Sequence, residues 1–498
     1  MLRNSRQGEI MSFDTSIAEN IQSQVEKLVE LVSDETSSQG QTAYEVESQL
    51  WESLLAIGQQ MMQLFFTMRE KTEERQAVCE VDGVMYPYRG QRQRQYVSLF
   101  GEVTIERAYY WKKGAEGQFP LDEALSLPER SFSDFVQDRV SELTVMMTYE
   151  EATRLFSKWF GWDLHKRPTQ QINADHAEKV ATYYETCSIP ETPAQDTILV
   201  VSADGKGIPM TRQDSPPPEA RRGRGQKKTA KKEATVTALY TIEPYQRDVD
   251  DIIRALVPDE TLAPSSLPPR PKPTHKQLFG TLEGQQVAFE QLTQQVTKRD
   301  SDHIQHYVAL TDGNRGLKKR VQENLPHFTL IVDIIHVTEY LWDAANILLG
   351  ETHPMRETWM QDALRCVLDN DLDHLLNHLN YQLAGLTKHQ QTTLQKVIRY
   401  LHNNREYMHY HDYLTQGYPI GTGVIEGACR HLVKDRFERS GMRWSREGAQ
   451  VMLDLRAVYL NGDWDDFQRF RRQQAHQQRY GSSHPNAIPE ELVLDGAA

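Results

Sequence analysis

The sequence predicts a mixed α/β core with helices on the faces of its sheet, interrupted by an all-helical stretch and preceded by helical and small β modules. Three observations carry that prediction. Two apolar runs end in Asp-Gly, TILVVSADG and YVALTDG, and a third, FTLIVDIIH, follows. Amphipathic stretches separate the later runs, so strands alternate with helices after an initial meander. From 356 to 413 the spacing turns helical throughout, with Leu364, Leu372, Leu375, Leu376, Leu379, Leu394, Ile398 and Leu401 at core positions.

Taken in order, residues 14–33 and 42–71 read as two helices. In the second, Leu50, Leu54, Ile57, Met61, Leu64 and Met68 alternate by four and three, a packing stripe that suits either its own domain or a partner helix. RQYVSLF and EVTIERAYYW flank Gly101 with the alternation of a β-hairpin. Residues 141–184 turn helical again, and two short helices around GWDLHKR form a candidate helix-turn-helix. Its second helix, opened by Pro168, would turn Thr169, Gln170, Gln171 and Asn173 toward base edges. TILVVSA is a buried strand ending at Asp204, with GIPM and TVTALYTI as antiparallel neighbours. The stretch at 264–276 is a proline-rich link to the helix LEGQQVAFEQLTQQVTK. These shifts divide the chain into 1–75 helical, 76–130 small β, 131–190 helical, 191–350 first part of the core, 351–418 helical insertion, 419–470 last part of the core and 471–498 tail.

Composition excludes several function classes. No apolar run approaches membrane-spanning length and the N-terminus lacks a signal-peptide pattern, so a cytoplasmic protein is expected, nucleoid-associated when bound to DNA. Four cysteines without a CxxC pair argue against a disulfide framework or a self-contained zinc site. A net charge of -14 opposes binding to a polyanion, yet the charge is uneven. Residues 221–232 carry seven cations and no acid, including Arg221, Arg222, Arg224, Lys227 and Lys228. A second basic block holds Arg430, Lys434, Arg436, Arg439 and Arg443, with Trp444 placed to stack on an unpaired base. Local fields of this kind, rather than the total, attract phosphate.

The candidate chemistry lies in three acids. Asp204 and Asp312 each stand at the end of an expected strand before glycine, and Glu426 follows a flexible GTG on a helix. Phosphodiester cleavage without a covalent intermediate is run by two Mg2+ ions, with Mn2+ an acceptable substitute, held between a few carboxylates. Asp-Gly alone is ordinary turn chemistry. The order strand-Asp, strand-Asp, helical block, helix-Glu is what points to a metal centre.

VSADGKG, ALTDGNRGLKKRV, DIIHVTEYLW and GTGVIEGACRHLVKDRFERSGMRWSREGA resemble the signature blocks of ISKra-type insertion-sequence transposases, related to the Mutator-like branch of DDE enzymes. The resemblance covers most of residues 80–465. It implies an RNase H-like core interrupted by a helical insertion, with Asp204, Asp312 and Glu426 as the metal ligands. Asp333 and His336 match the branch's C/D-x-x-H element, a pair that would support the metal carboxylates or position DNA. Similar transposases often carry cysteine pairs near the N-terminal β module, where this chain has only Cys79; no zinc is therefore expected. The implied activity is metal-dependent cleavage and strand transfer on double-stranded DNA by a homo-oligomer. The alternatives are a nuclease without strand transfer and an inactive DNA-binding derivative.

Overall fold

A computed structural model describes residues 3–33, 40–72, 76–188, 197–215, 231–257, 268–301 and 303–481, with the side chains of 3–15 and 440 excepted. The basic loop with Arg221, Arg222, Arg224, Lys227 and Lys228 lies outside the described residues. The chain forms two compact units, one running to Lys179 and resuming at Asp465, the other spanning Val180–Trp464. Among the described residues no helix is long and apolar enough to cross a membrane.

The first unit contains the helices α1 (Arg3–Ser33) and α2 (Ala43–Thr72), then a three-stranded antiparallel sheet of β1 (Val78–Val81), β2 (Val84–Ser98) and β3 (Gly101–Tyr110). The expected hairpin about Gly101 is present, with Ser98 paired to Gly101. A short helical turn, Pro120–Ala124, comes next, and then three longer helices: α3 (Asp134–Met146), α4 (Tyr149–Phe160) and α5 (Lys166–Ala177). A capping box at Thr148 and Glu151 starts α4 and a left-handed Gly161 ends it, so the turn before α5 is sharply specified. The recognition-helix expectation fails for two of its four side chains. Thr169 and Asn173 are fully buried, and the Asn173 amide donates to Thr144 Oγ1 at 2.8 Å and to the Tyr149 hydroxyl at 3.1 Å. A helix that spends those positions on its own core offers base edges only Gln170 and Gln171, which are exposed.

The second unit opens with a short helix, α6 (Val180–Thr186), and is built on a five-stranded sheet. Its strands are β4 (Thr197–Pro209), β5 (Lys231–Ile242), β6 (Thr274–Thr281), β7 (Ile304–Thr311) and β8 (Thr329–Val332). They lie in the order β6-β5-β4-β7-β8, with the β4–β5 and β5–β6 pairs antiparallel and β4–β7 and β7–β8 parallel. Parallel neighbours need crossovers. The helices α8 (Gln285–Arg299) and α9 (Arg315–Asn324) supply them, after α7 (Val249–Leu256) on the β5–β6 connection. GIPM proves to be the continuation of β4 rather than a separate neighbour, so Asp204 sits within the strand. The segment THKQLFGT, of which only THK fell in the expected proline-rich link and the rest was assigned to no element, is the edge strand β6. Its outer edge is covered by side chains: Asn461 accepts from Leu278 N–H and Gln450 from Leu282 N–H.

Beyond β8 come α10 (Ile334–Leu348) and the helical insertion, α11 (Arg356–Leu368), α12 (Leu372–Gln382), α13 (Lys388–Asn404) and α14 (Tyr410–Thr415). The insertion is no appendage. Leu364, Leu379, Leu394 and Leu401 share one buried core with Ile198, Val200, Val308 and Leu310 on the even-numbered face of the sheet. The odd-numbered residues of β4, Leu199 and Val201, pack instead with Phe289, Leu292 and Leu317 from the crossovers. The chain returns through α15 (Gly423–Ala428), a π-helical stretch Cys429–Lys434, and α16 (Arg446–Asn461). The last helix, α17 (Trp464–Tyr480), lies mostly in the first unit, where Arg471 bonds Asp134 and Asp138 at 2.9 and 2.8 Å.

Candidate metal centre

Register decides where the acids stand. On β4 and β7 Ser202 faces Leu310, and on β7 and β8 Leu310 faces Ile331. Moving two residues along each strand keeps the side chains on the same face and arrives at Asp204, Asp312 and Asp333. Three aspartates thus form one row across three parallel neighbours, on the face covered by the helical insertion. The carboxyl ends of parallel strands are where α/β sheets collect ligands.

Asp204 is half-buried within β4, its Oδ1 accepting from Gly205 N–H at 2.6 Å and its Oδ2 from the Cys429 thiol at 3.4 Å. A Cβ on Gly205 would stand 2.7 Å from Glu233 Cδ on β5, so glycine here makes room across the ladder. Asp312 lies in the turn after β7 and accepts from Asn314 N–H at 2.8 Å. Burial pushes its carboxyl above the usual range, the Asn314 N–H opposes that, and the Asp204 charge adds to the rise. Two carboxylates that repel each other in this way leave a deficit of positive charge between them.

The helical insertion builds the Asp312 turn. Tyr400 of α13 donates its hydroxyl to the Asp312 carbonyl at 3.0 Å, and its ring stacks on Tyr340 of α10 with centroids 3.8 Å apart. Gly313 adopts φ +86°, and a Cβ there would press on Tyr400 Cε2 and Asn404 Nδ2, both at 3.0 Å. Only glycine meets both demands.

Asp333 caps α10 and is completely buried. FTLIVDIIH was expected to be one strand, but it breaks at Asp333, so His336 sits in the first turn of a helix instead of at a strand end. Asp333 Oδ1 accepts from Ile335 N–H at 3.0 Å and Thr422 N–H at 3.1 Å; its Oδ2 accepts from Thr422 Oγ1 at 2.5 Å and His336 Nδ1 at 2.8 Å. The hydrogen bond to Asp333 raises the His336 imidazole to about 9, against the effect of its partial burial, with the Asp333, Glu339 and Asp312 charges adding to the rise. Nδ1 is thereby committed, which leaves Nε2 as the ring's free position.

Glu426 is exposed on α15, and Thr422 Oγ1 lies 3.4 Å from its Oε1. The same threonine grips Asp333, so the helix that carries Glu426 is anchored to the end of β8. Ligand atoms of Asp333, His336 and Glu426 lie within 4.8 Å of one another and could hold a metal ion. This is a different trio from Asp204, Asp312 and Glu426. Asp333 already serves four donors, so it orients His336 and, through Thr422, the helix that carries Glu426, while among the described residues Asp204 and Asp312 form no equally close group with Glu426. Cys429, one turn beyond Glu426, links the end of that helix to Asp204: burial, then Asp204 and more weakly Glu426, push its thiol far up. The donor set of carboxylate oxygens and one imidazole fits a hard or borderline divalent cation.

Of the expected DNA-contacting block, Arg430, Lys434, Arg439 and Arg443 are exposed. Arg436 and Trp444 are not available. Arg436 is fully buried, its guanidinium 4.9 Å from the centre of the Trp444 ring, and Trp444 packs on Phe437 with centroids 4.7 Å apart. The Trp444 backbone bonds Pro209 O and Thr211 N–H, so this tryptophan fastens the block to the end of β4 rather than stacking on a base. Thr422, Cys429 and Tyr400 are the site residues that sequence reasoning missed. A threonine four residues before Glu426 and a cysteine three after it share one helical face, the single signal that marks two of them.

No family model matches this chain. Over 394 residues it is 23% identical to the UPF0236 protein in the vanSb 3′ region of Streptococcus gallolyticus, a match spanning 76% of this chain and 74% of that protein.

Proposed function

We propose that the chain is a DDE-type transposase, a metal-dependent enzyme that cuts DNA at the ends of an insertion sequence and joins them to a target. The observation that carries the reading is the row of aspartates on neighbouring parallel strands with Glu426 brought beside it by a helix. The strand order, with three antiparallel strands followed by two parallel ones on the far side of β4, supports an RNase H-like core, and the helical block between Asp333 and Glu426 supports the resemblance drawn from the motifs.

Asp204, Asp312 and Glu426 are the residues that would hold Mg2+, with His336, raised to about 9 and so a cation at neutral pH, beside them to support the carboxylates or position DNA. Bound there, the ions would activate the attacking oxygen and stabilise the leaving one. The protein's own work is positioning. Asp333 and Thr422 hold the Glu426 helix to the sheet, Tyr400 holds the Asp312 turn, and Lys206, two residues beyond Asp204 on the same strand, places a cation on the same face for a phosphate oxygen. The exposed Arg430, Lys434, Arg439 and Arg443 extend that positive field along the return helix.

The deciding experiment incubates purified protein with duplexes carrying the inverted repeats that flank its gene, with and without Mg2+. Nicked and joined products are expected from the wild type, and neither from Asp204→Asn, Asp312→Asn or Glu426→Gln, each still binding the duplex. Nicking without joining would reduce the reading to a nuclease; cleavage by the Glu426→Gln protein would remove Glu426 from the centre.

A further inference from the structure

A cavity of about 460 Å3 opens on the other side of the wall that carries the acids. Its floor is apolar: Ile252 and Leu256 come from α7, Ile334 and Ile335 from the first turn of α10, and Ile420 from the irregular segment before α15. Ile334 directly follows Asp333, and Gly421, which also lines the cavity, directly precedes Thr422. A Cβ on Gly421 would stand 3.7 Å from Asp333 Oδ1 and 3.8 Å from Ile335 Cδ1, so one layer of backbone separates cavity from metal centre.

The rim has the opposite character. Arg247, Arg254 and Arg270 face it against one carboxylate, Asp251. Arg247 is held by the carbonyls of Tyr245 and Tyr418 at 3.1 and 2.5 Å. Arg254 reaches Asp251 only at 3.7 Å, and its buried Nε meets no acceptor among the described residues. Tyr245 adds a ring to the side of the opening.

An apolar slot with an excess of guanidinium at its mouth fits a flat, weakly polar body bearing an anionic group, and guanidinium is the group best matched to phosphate. The volume is in the range that holds a small molecule, and far too small for a double helix. We propose that this cavity receives a single unpaired nucleotide of the DNA strand being processed, its base on the isoleucine floor beside Tyr245 and its phosphate at Arg254 and Arg270. The inference rests on the DNA-cutting reading above and adds to it a place for a base taken out of the stack next to the scissile phosphate.

The test uses full-length protein in Ca2+ and a duplex with a one-nucleotide 2-aminopurine overhang. A fluorescence change on binding is expected, reduced at least fivefold by Ala255→Trp, which fills the slot from an exposed position of α7, and by Arg254→Gln combined with Arg270→Gln. Anisotropy with a fully paired duplex should stay within twofold for all three proteins. An unchanged fluorescence response in both variants overturns the pocket, even where Mg2+-dependent cleavage proceeds and the enzyme reading stands. A pocket-dependent response without cleavage keeps the pocket and defeats the enzyme reading. Competition by free dAMP as tight as by the overhang would show that the slot serves a free nucleotide, and would overturn the strand as its occupant.

Discussion

Asp312 and Asp333 are both aspartates at strand ends on the same face, yet their surroundings predict opposite consequences of mutation. Burial and the Asp204 charge raise the Asp312 carboxyl above its unfolded range, so the folded protein binds that proton more tightly than the unfolded chain. Its contribution is favourable at pH values below the ordinary carboxylate value of 3.8 and is lost as pH rises through the folded value. Metal-free Asp312→Asn should therefore be more stable than wild type near neutral pH, with the gain vanishing in acid, as read by urea denaturation across pH. An equal or lower stability at pH 7 would contradict the repulsion argument. Asp333 is buried with four donors, and Asp333→Ala strands them, at a cost of about 3–5 kcal/mol. Its melting curve should show a large loss with or without metal, which separates a structural acid from the proposed metal ligands.

At the scale of elements, the helical insertion completes the site instead of decorating it. Tyr400 on α13 is the contact to remove: Tyr400→Phe keeps the stacked ring on Tyr340 but deletes the bond to the Asp312 carbonyl, a loss of about 1 kcal/mol. Thermal stability should change little. Cleavage should fall by an order of magnitude or more, because a displaced ligand costs rate far out of proportion to binding. Unchanged turnover in that variant would mean that the Asp312 turn is held by Gly313 and Asn314 alone. The π-helical stretch after Glu426 is a second device of this kind, since its wider turn lets Cys429 face Asp204 while Leu432 and Val433 remain buried.

For the whole molecule, the stripe on α2 is divided. Ile57 is buried, while Leu54, Met61 and Met68 are 55%, 54% and 48% exposed. These three recur every seven residues, the spacing of a seam between helices, and their exposure favours the partner-helix reading over burial in the unit itself. On the proposed reading, pairing two DNA ends needs more than one subunit, so the full-length protein is expected to self-associate. Leu54→Glu with Met61→Glu should shift its sedimentation toward the monomer without lowering its melting temperature; an unshifted oligomer would assign subunit contact elsewhere.

Much of the core was legible because the buried strands of a parallel sheet are written as continuous β-branched runs, and TILVVSADG and YVALTDG end them with the acids in view. The helical insertion was legible from leucine spacing for the same reason of periodicity. Other features were hidden by local ambiguity. VDIIH reads as strand because isoleucine favours strands, whereas the Asp333 carboxylate caps the following helix through Ile335 N–H and is held in place by Thr422, 89 residues on. THKQLFGT is too polar to announce an edge strand, and spacing cannot say that Arg436 and Trp444 turn inward while Arg439 and Arg443 turn out. The sequence by itself determined the apolar runs of β4, β7 and β8, the helices of the insertion and the acids set in or just after those runs, since these depend on period and propensity. Tertiary structure alone decided that Asp204, Asp312 and Asp333 share one row, that Tyr400 and Thr422 brace it, and that arginines ring a cavity behind it, because register and packing join residues that are distant in the chain.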